Sequence, residues 1–387
     1  MSKNIVFCAD GTWNGPEDQT GTSVTDADDN AGELTGNTIT NVVKFYANLA
    51  GRPTPETLML HNEQEKLLSD TAGNTIQVAK YLHGVGDSRN GVMKVLGGVF
   101  GVGVIARIVR GYTFISRYYQ PGDTLYILGF SRGAYTARAL AGMIARVGLL
   151  DPKRYDVNDK EESYRLGVAA WHYSKGMTLT GHSRVTSLAN RFLDFVESFV
   201  TRGVLSEADL IANVPIKAVG VWDTVGSMGV PLYLRDRRYD IFQFTDTKLS
   251  EKVEHGFHAM AIDERRTDFP VTPWEQRTGI EQVWFLGAHA DVGGGYVETE
   301  SRLSDVALQW MMQKLTDVGV HLATPLTRVP NCQCSAQAIH RPWENPPFNV
   351  LAQTPRTPLL EDMFHATVCE RWKSDASYRI ALTRCRL

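Results

Sequence analysis

The feature that most constrains this chain is a short apolar run, residues 124–128, leading through Gly129-Phe130-Ser131-Arg132-Gly133 into a stretch rich in Ala, Leu, Ile and Arg at 134–147. Strand, Gly-x-Ser-x-Gly turn and helix in direct succession make a sharp, strained corner that lifts a serine hydroxyl above the end of a strand. Small residues on either side permit the corner. The following helix directs its positive dipole end and unpaired N–H groups at the same point. The five residues alone are a weak pattern, and the plain alternative is a glycine-lined turn. Their setting makes the pattern strong.

Three further apolar runs end in small or polar clusters, as buried parallel strands do. They are residues 5–8 before Asp10-Gly11-Thr12, residues 216–221 before Asp223, and residues 282–286 before His289. Helical stretches, including 42–49 and 134–147, lie between them. The alternation predicts an α/β fold with a mostly parallel central sheet and helices on both faces. Ligands in such sheets bind beyond the carboxyl ends of the strands, where all four clusters would sit. A single domain over 1–387 is expected. Residues 14–38 read as a long surface loop, 151–210 as a cap-like insertion and 325–387 as an irregular C-terminal wrap.

A serine nucleophile needs a base, and the base needs an orienting carboxylate, in the chain order Ser, Asp or Glu, His for this kind of elbow. Asp223 and His289 supply that order after Ser131. His365 is the alternative base and Asp291 the alternative acid, although the closeness of Asp291 to His289 favours a turn-stabilising role. His255 and His258 are placed on a predicted helix, in packing or capping roles. The oxyanion hole requires two N–H donors. Arg132 is the first, and Gly11 or Thr12 is the second. Gly101-Val102-Gly103-Val104-Ile105-Ala106 matches a dinucleotide fingerprint, but no acidic residue follows about 20 positions on. It reads as an apolar Gly-rich element. No metal or organic cofactor is needed for this chemistry.

Composition narrows the partners. Of 387 residues 43% are hydrophobic and 21% charged, and the formal net charge of −3 gives no basic field for nucleic acid. The five cysteines (8, 332, 334, 369 and 385) are odd in number and form no disulfide framework, so free thiols are expected. Met1-Ser2-Lys3-Asn4 runs straight into the first strand without a signal peptide, which predicts a chain that is cytoplasmic as synthesised. No run reaches the roughly 20 apolar residues that span a bilayer. The longest, at 92–109, carries four glycines, Lys94 and Arg107.

Several motifs together resemble a microbial α/β-hydrolase domain family that includes the first phospholipase family of type VI secretion effectors. They are Cys8-Ala-Asp-Gly-Thr-Trp-Asn14, Gly84-Val-Gly86, the elbow region 121–138, Val221-Trp-Asp-Thr-Val-Gly226, Ala259-Met-Ala-Ile-Asp-Glu-Arg-Arg266 and His289-Ala-Asp-Val-Gly-Gly-Gly-Tyr296. The resemblance implies a Ser-Asp-His triad, here Ser131, Asp223 and His289, and esterase chemistry with a phospholipid substrate in secreted members. It also implies transient contact with a membrane surface, export by a non-Sec route and a secretion or immunity partner. A carboxylesterase for small soluble esters and a non-catalytic binding module are the competing expectations.

Overall fold

The computed structural model describes residues 2–11, 38–54, 63–83, 100–156, 158–174, 205–225, 247–267, 269–334, 337–345, 348–350, 352–359 and 362–383. In chain order the strands are β1 (Asn4–Ala9), β2 (Thr38–Thr40), β3 (Arg52–Pro53), β4 (Glu63–Ser69), β5 (Thr75–Leu82), β6 (Thr124–Phe130) and β7 (Leu149–Leu150). They continue with β8 (Leu210–Ile211), β9 (Ile216–Trp222), β10 (Val253–Ala261), β11 (Ile280–Phe285), β12 (Gly294–Val297) and β13 (Met363–Phe364). The helices are α1 (Asn41–Asn48), α2 (Phe100–Tyr118), α3 (Arg132–Val147), α4 (Lys160–Ser174), α5 (His289–Gly293), α6 (Arg302–Asp317), α7 (Ala366–Ser374) and α8 (Ala376–Thr383).

Nine strands form one sheet in the order β13-β11-β10-β9-β6-β1-β5-β4-β3. All pairings from β13 to β5 are parallel, and the edge pairs β5/β4 and β4/β3 are antiparallel. The register aligns Ala9 with Gly129, and Phe130 with Trp222, so Asp10, Ser131 and Asp223 leave the same edge of the sheet side by side. The architecture is α/β-hydrolase-like.

Alternation along each strand builds two cores. Ile5, Phe7, Leu125, Ile127, Val219 and Val221 face α2 and α3 in one apolar cluster. Val6, Cys8, Tyr126, Leu128, Ala218 and Trp222 face α1 and α6 in the other. Every one of these side chains is essentially inaccessible, which is why the central strands read as unbroken apolar runs.

Two expectations are corrected. His255 and His258 lie on β10, not on a helix. A parallel strand buried on both faces shows no alternation, and its Ala, Met and His suit either state. The C-terminal region is irregular only in part, since Met363–Phe364 adds the edge strand β13 and α7 and α8 follow it. The Gly-rich element at 101–106 is the start of α2, a helix whose Val104, Ile105, Ile108 and Val109 are core residues. No helix among the described residues is long and apolar enough to cross a membrane.

The insertion at 151–210 leaves and rejoins the body at one place, where β7 pairs antiparallel with β8. Within it α4 packs Leu166, Val168, Ala170 and Trp171 into the cluster with α2 and α3. Residues 175–204 of the expected cap, nearly all of the expected loop at 14–38 and Gly84-Val-Gly86 lie outside the described residues. Cys8, Cys332, Cys334 and Cys369 are free thiols; Cys385 lies outside the described residues.

Candidate active site

Ser131 sits between the end of β6 and the first turn of α3 with φ 57° and ψ −122°, a region that non-glycine residues rarely occupy. Such a conformation costs on the order of 1–3 kcal/mol and persists only where its surroundings impose it. Here they do. A Cβ on Gly129 would come within 2.2 Å of the Gly133 carbonyl oxygen, and one on Gly133 within 2.1 Å of the Ala9 carbonyl oxygen. The two glycines therefore let the start of α3 close against the end of β1. Ser131 N donates to Trp222 O at 3.1 Å, tying the corner to β9 as well.

The first turn of α3 consequently packs beside Asp10-Gly11. The Arg132 N–H stands in the first turn of α3, where the backbone N–H groups of a helix point along its axis toward the preceding strand end. The N–H of Gly11, the other candidate donor, donates to the Asp10 carboxylate at 2.7 Å. Thr12 lies outside the described residues. Asp10 also accepts from Thr40 Oγ1 and Tyr81 Oη, both at 2.8 Å, while Arg107 donates to its carbonyl oxygen. Burial raises the Asp10 carboxyl above its ordinary range despite these donors.

Asp223 and His289 meet across the ends of β9 and β11. His289 Nδ1 lies 2.6 Å from Asp223 Oδ2, and both side chains are buried. This contact fixes the imidazole through one nitrogen and leaves Nε2 on the opposite side of the ring. The ring lies against Phe130, the residue before Ser131, at 4.6 Å between centroids, and edge-on to Phe269 at 5.1 Å. Ser131 and Asp223 thus follow neighbouring strands, and His289 reaches Asp223 at the same carboxyl edge. No hydrogen bond joins Ser131 Oγ to His289 Nε2 among the described residues, and catalytic hydrogen bonds often tighten only around substrate.

Three charged residues that sequence reasoning did not single out surround the pair. Arg356 donates to Asp223 Oδ1 at 2.6 Å and to Oδ2 at 3.0 Å. Glu264 accepts the His289 backbone N–H at 3.2 Å and pairs with Arg266, which covers the Phe269 ring at 3.6 Å. Glu264 and Arg266 belonged to a quoted motif, whereas nothing around Arg356 marked it. Burial would raise the Asp223 carboxyl, but the Arg356 guanidinium and His289 outweigh it and hold the group well below the usual carboxylate range. Burial lowers His289, opposed by Asp223, so the imidazole is neutral and basic near pH 7.

The remaining candidates have local partners. His258 Nε2 accepts from Thr224 N at 3.1 Å, and burial lowers its pKa to about 3, so it is a neutral acceptor that shapes the turn after Asp223. His365 caps α7 through Thr367 and stacks on Phe285 at 4.7 Å. Asp291 accepts from Ala288 N at 2.9 Å and pairs with His340 at 2.6 Å, bracing the turn that carries His289. A cavity of about 500 Å³ opens beside Arg356, its wall including Met260, Glu264, Arg266, Phe269 and Trp284.

Residues 3–314 match the family model described as T6SS, phospholipase effector Tle1-like, catalytic domain. A yeast relative, the uncharacterized protein YEL023C of Saccharomyces cerevisiae, is 28% identical over 269 residues, which is 69% of this chain and 32% of the relative. Among solved structures, the Tle1 effector bound to the VgrG spike of the type 6 secretion system aligns at 15% identity and a TM-score of 0.40. That alignment covers 78% of this chain and 53% of the effector. An uncharacterized protein from Pseudomonas aeruginosa aligns at 16% identity and a TM-score of 0.41, over 88% of this chain and 48% of the other. The chain thus spans about a third of the curated relative and about half of each solved one. With the family model covering most of its length, the chain belongs to the Tle1-like phospholipase effector catalytic-domain family.

Proposed function

We propose that the chain is a serine ester hydrolase that works through an acyl-enzyme, with glycerophospholipid as its substrate class. The observation that carries this reading is the 2.6 Å Asp223–His289 contact set against the strained Ser131. Family membership supports the phospholipid assignment and export by the type VI route. The apolar wall that Phe269 carries from the cavity to the His289 ring suits an ester with an acyl chain.

In the proposed reaction His289 Nε2 takes the Ser131 hydroxyl proton as Oγ attacks the ester carbonyl. Asp223 holds the tautomer and stabilises the imidazolium that forms. The Arg132 N–H and one from Thr12 receive the oxyanion; loss of one such donor costs roughly 10²–10³ in rate. Collapse of the tetrahedral adduct breaks the ester C–O bond, and His289 returns the proton to the leaving alcohol. Water then repeats the sequence on the acyl-serine, releasing the fatty acid and restoring Ser131.

The test compares wild type with Ser131→Ala on short p-nitrophenyl esters and on phospholipid vesicles, with the released products identified. Free fatty acid and lysophospholipid from wild type alone are expected. Hydrolysis of p-nitrophenyl esters with no product from vesicles would move the substrate to small soluble esters. Wild-type turnover by Ser131→Ala would remove the triad.

A further inference from the structure

We propose that Arg356 is a positioning residue for the acid–base pair, its guanidinium gripping both oxygens of Asp223 and fixing the carboxylate that orients His289. The inference rests on the triad reading above. It goes beyond the family assignment, because Arg356 lies outside the matched stretch of residues 3–314.

The delivery of Arg356 is built into the backbone. Residues 352–358 run as a strap over the loop after β10: Thr354 N donates to Arg265 O at 2.7 Å, and Gln353 bridges antiparallel to Arg266. This register drops the Arg356 side chain behind Asp223. There both terminal nitrogens are used, with Nη1 on Asp223 Oδ1 and Ala261 O (both 2.6 Å) and Nη2 on Asp223 Oδ2 (3.0 Å) and Phe269 O (2.8 Å), while Nε is buried without a partner among the described residues. Ala261 N adds a 2.9 Å donor to Oδ1. A lysine could supply the charge but not this planar two-pronged geometry. The carboxylate is left with one free direction, toward His289 Nδ1.

The charges around the pair define what the arginine does. Facing Asp223 are Arg356 from the strap, His289 from the turn after β11, and the neutral His258 from β10, with Arg138 of α3 acting through His258. Facing His289 are Asp223 from the end of β9, and Glu264 and Arg266 from the loop after β10. Phe130 and Phe269 cover the ring faces, and Asp291 on its own short helix is engaged by Ala288 and His340. Arg356 is the cation that contacts the acid directly. Without it the negative charge on Asp223 would act unopposed on His289, the pair would keep its extra proton to higher pH, and the free base would form later.

The experiment measures kcat/KM against pH on p-nitrophenyl butyrate for wild type, Arg356→Gln, Arg356→Lys and Ser131→Ala, with folding of each checked by circular dichroism. Arg356→Gln should lose roughly 10–100-fold on the plateau, as removal of a group that orients a reacting one does. Its acid limb should move up by about one pH unit or more. Arg356→Lys should keep the wild-type acid limb and still lose roughly tenfold on the plateau, because the fork is gone. A folded Arg356→Gln with an unmoved acid limb overturns the proposal, even if its plateau falls. Should Arg356→Gln not fold, wild-type kcat/KM in Arg356→Lys overturns it instead. An active Ser131→Ala would sink the triad and this proposal together, whereas an inactive Ser131→Ala beside an unmoved limb sinks this proposal alone.

Discussion

Two carboxylates flank β6, the strand that leads into Ser131, and are treated in opposite ways. Asp10 ends β1 on one side of β6, Asp223 ends β9 on the other, and both are fully shielded from solvent. Asp10 is met by two hydroxyls and a backbone N–H, and burial raises it. Asp223 is met by a guanidinium and an imidazole, and their charge holds it low against the same burial. Hydroxyls serve either protonation state, so Asp10 can act as a staple for the β1 turn. A cation commits the carboxylate to its charged form, which a group opposite a developing imidazolium requires. Equal burial therefore produces different chemistry, and the partner decides which.

The comparison breaks most sharply at Asp223. Asp223→Asn should lower kcat by roughly 10⁴, because an amide neither fixes the tautomer nor balances the imidazolium. Asp10→Asn should lose well under the 10²–10³ that a missing oxyanion donor costs. Steady-state rates on one soluble ester compare the two, and similar losses would erase the distinction.

The next effect falls on the corner between them. Gly133→Ala places a Cβ 2.1 Å from Ala9 O and 2.6 Å from Asp10 O. Overpacking of this kind costs about 1–3 kcal/mol. It should also push the Arg132 N–H away from the Asp10 turn and lower kcat by roughly 10²-fold or more. Denaturant melts together with kcat would show both effects.

The smallest effect concerns stability against pH, where the two carboxylates have opposite signs. The folded pKa of Asp10 is raised, so its contribution is present below 3.8 and is lost as pH climbs through the raised value. That of Asp223 is lowered, so its contribution is present above 3.8 and is lost as pH falls toward the folded value. Asp10→Asn should therefore gain on wild type as pH rises toward neutral, whereas Asp223→Asn should lose most at neutral pH. Urea midpoints at pH 4 and pH 7 read the crossing.

How much of this was legible in the sequence follows from where the information lies. Ser131, Asp223 and His289 each follow an apolar strand, so local pattern and chain order sufficed to nominate them. Residues 253–261 escaped because a strand buried on both faces loses the alternation that separates it from a helix. Arg356 was not legible at all. It sits in a segment without periodicity, 133 residues from the carboxylate it grips, and only tertiary pairing brings the two together. The engagement of the Gly11 N–H by its neighbour's carboxylate was equally hidden, since it depends on a side-chain rotamer. Strand ends were readable, and the groups that tune them were not.

The central claim is that Ser131 becomes acylated. Wild type and Ser131→Ala treated with a fluorophosphonate, digested and analysed by mass spectrometry test it most directly. A single phosphonyl adduct on the wild-type peptide containing Ser131, absent from Ser131→Ala, is the predicted result. An unmodified Ser131 in enzyme that still hydrolyses esters, or an adduct on another residue whose loss abolishes activity, would contradict it.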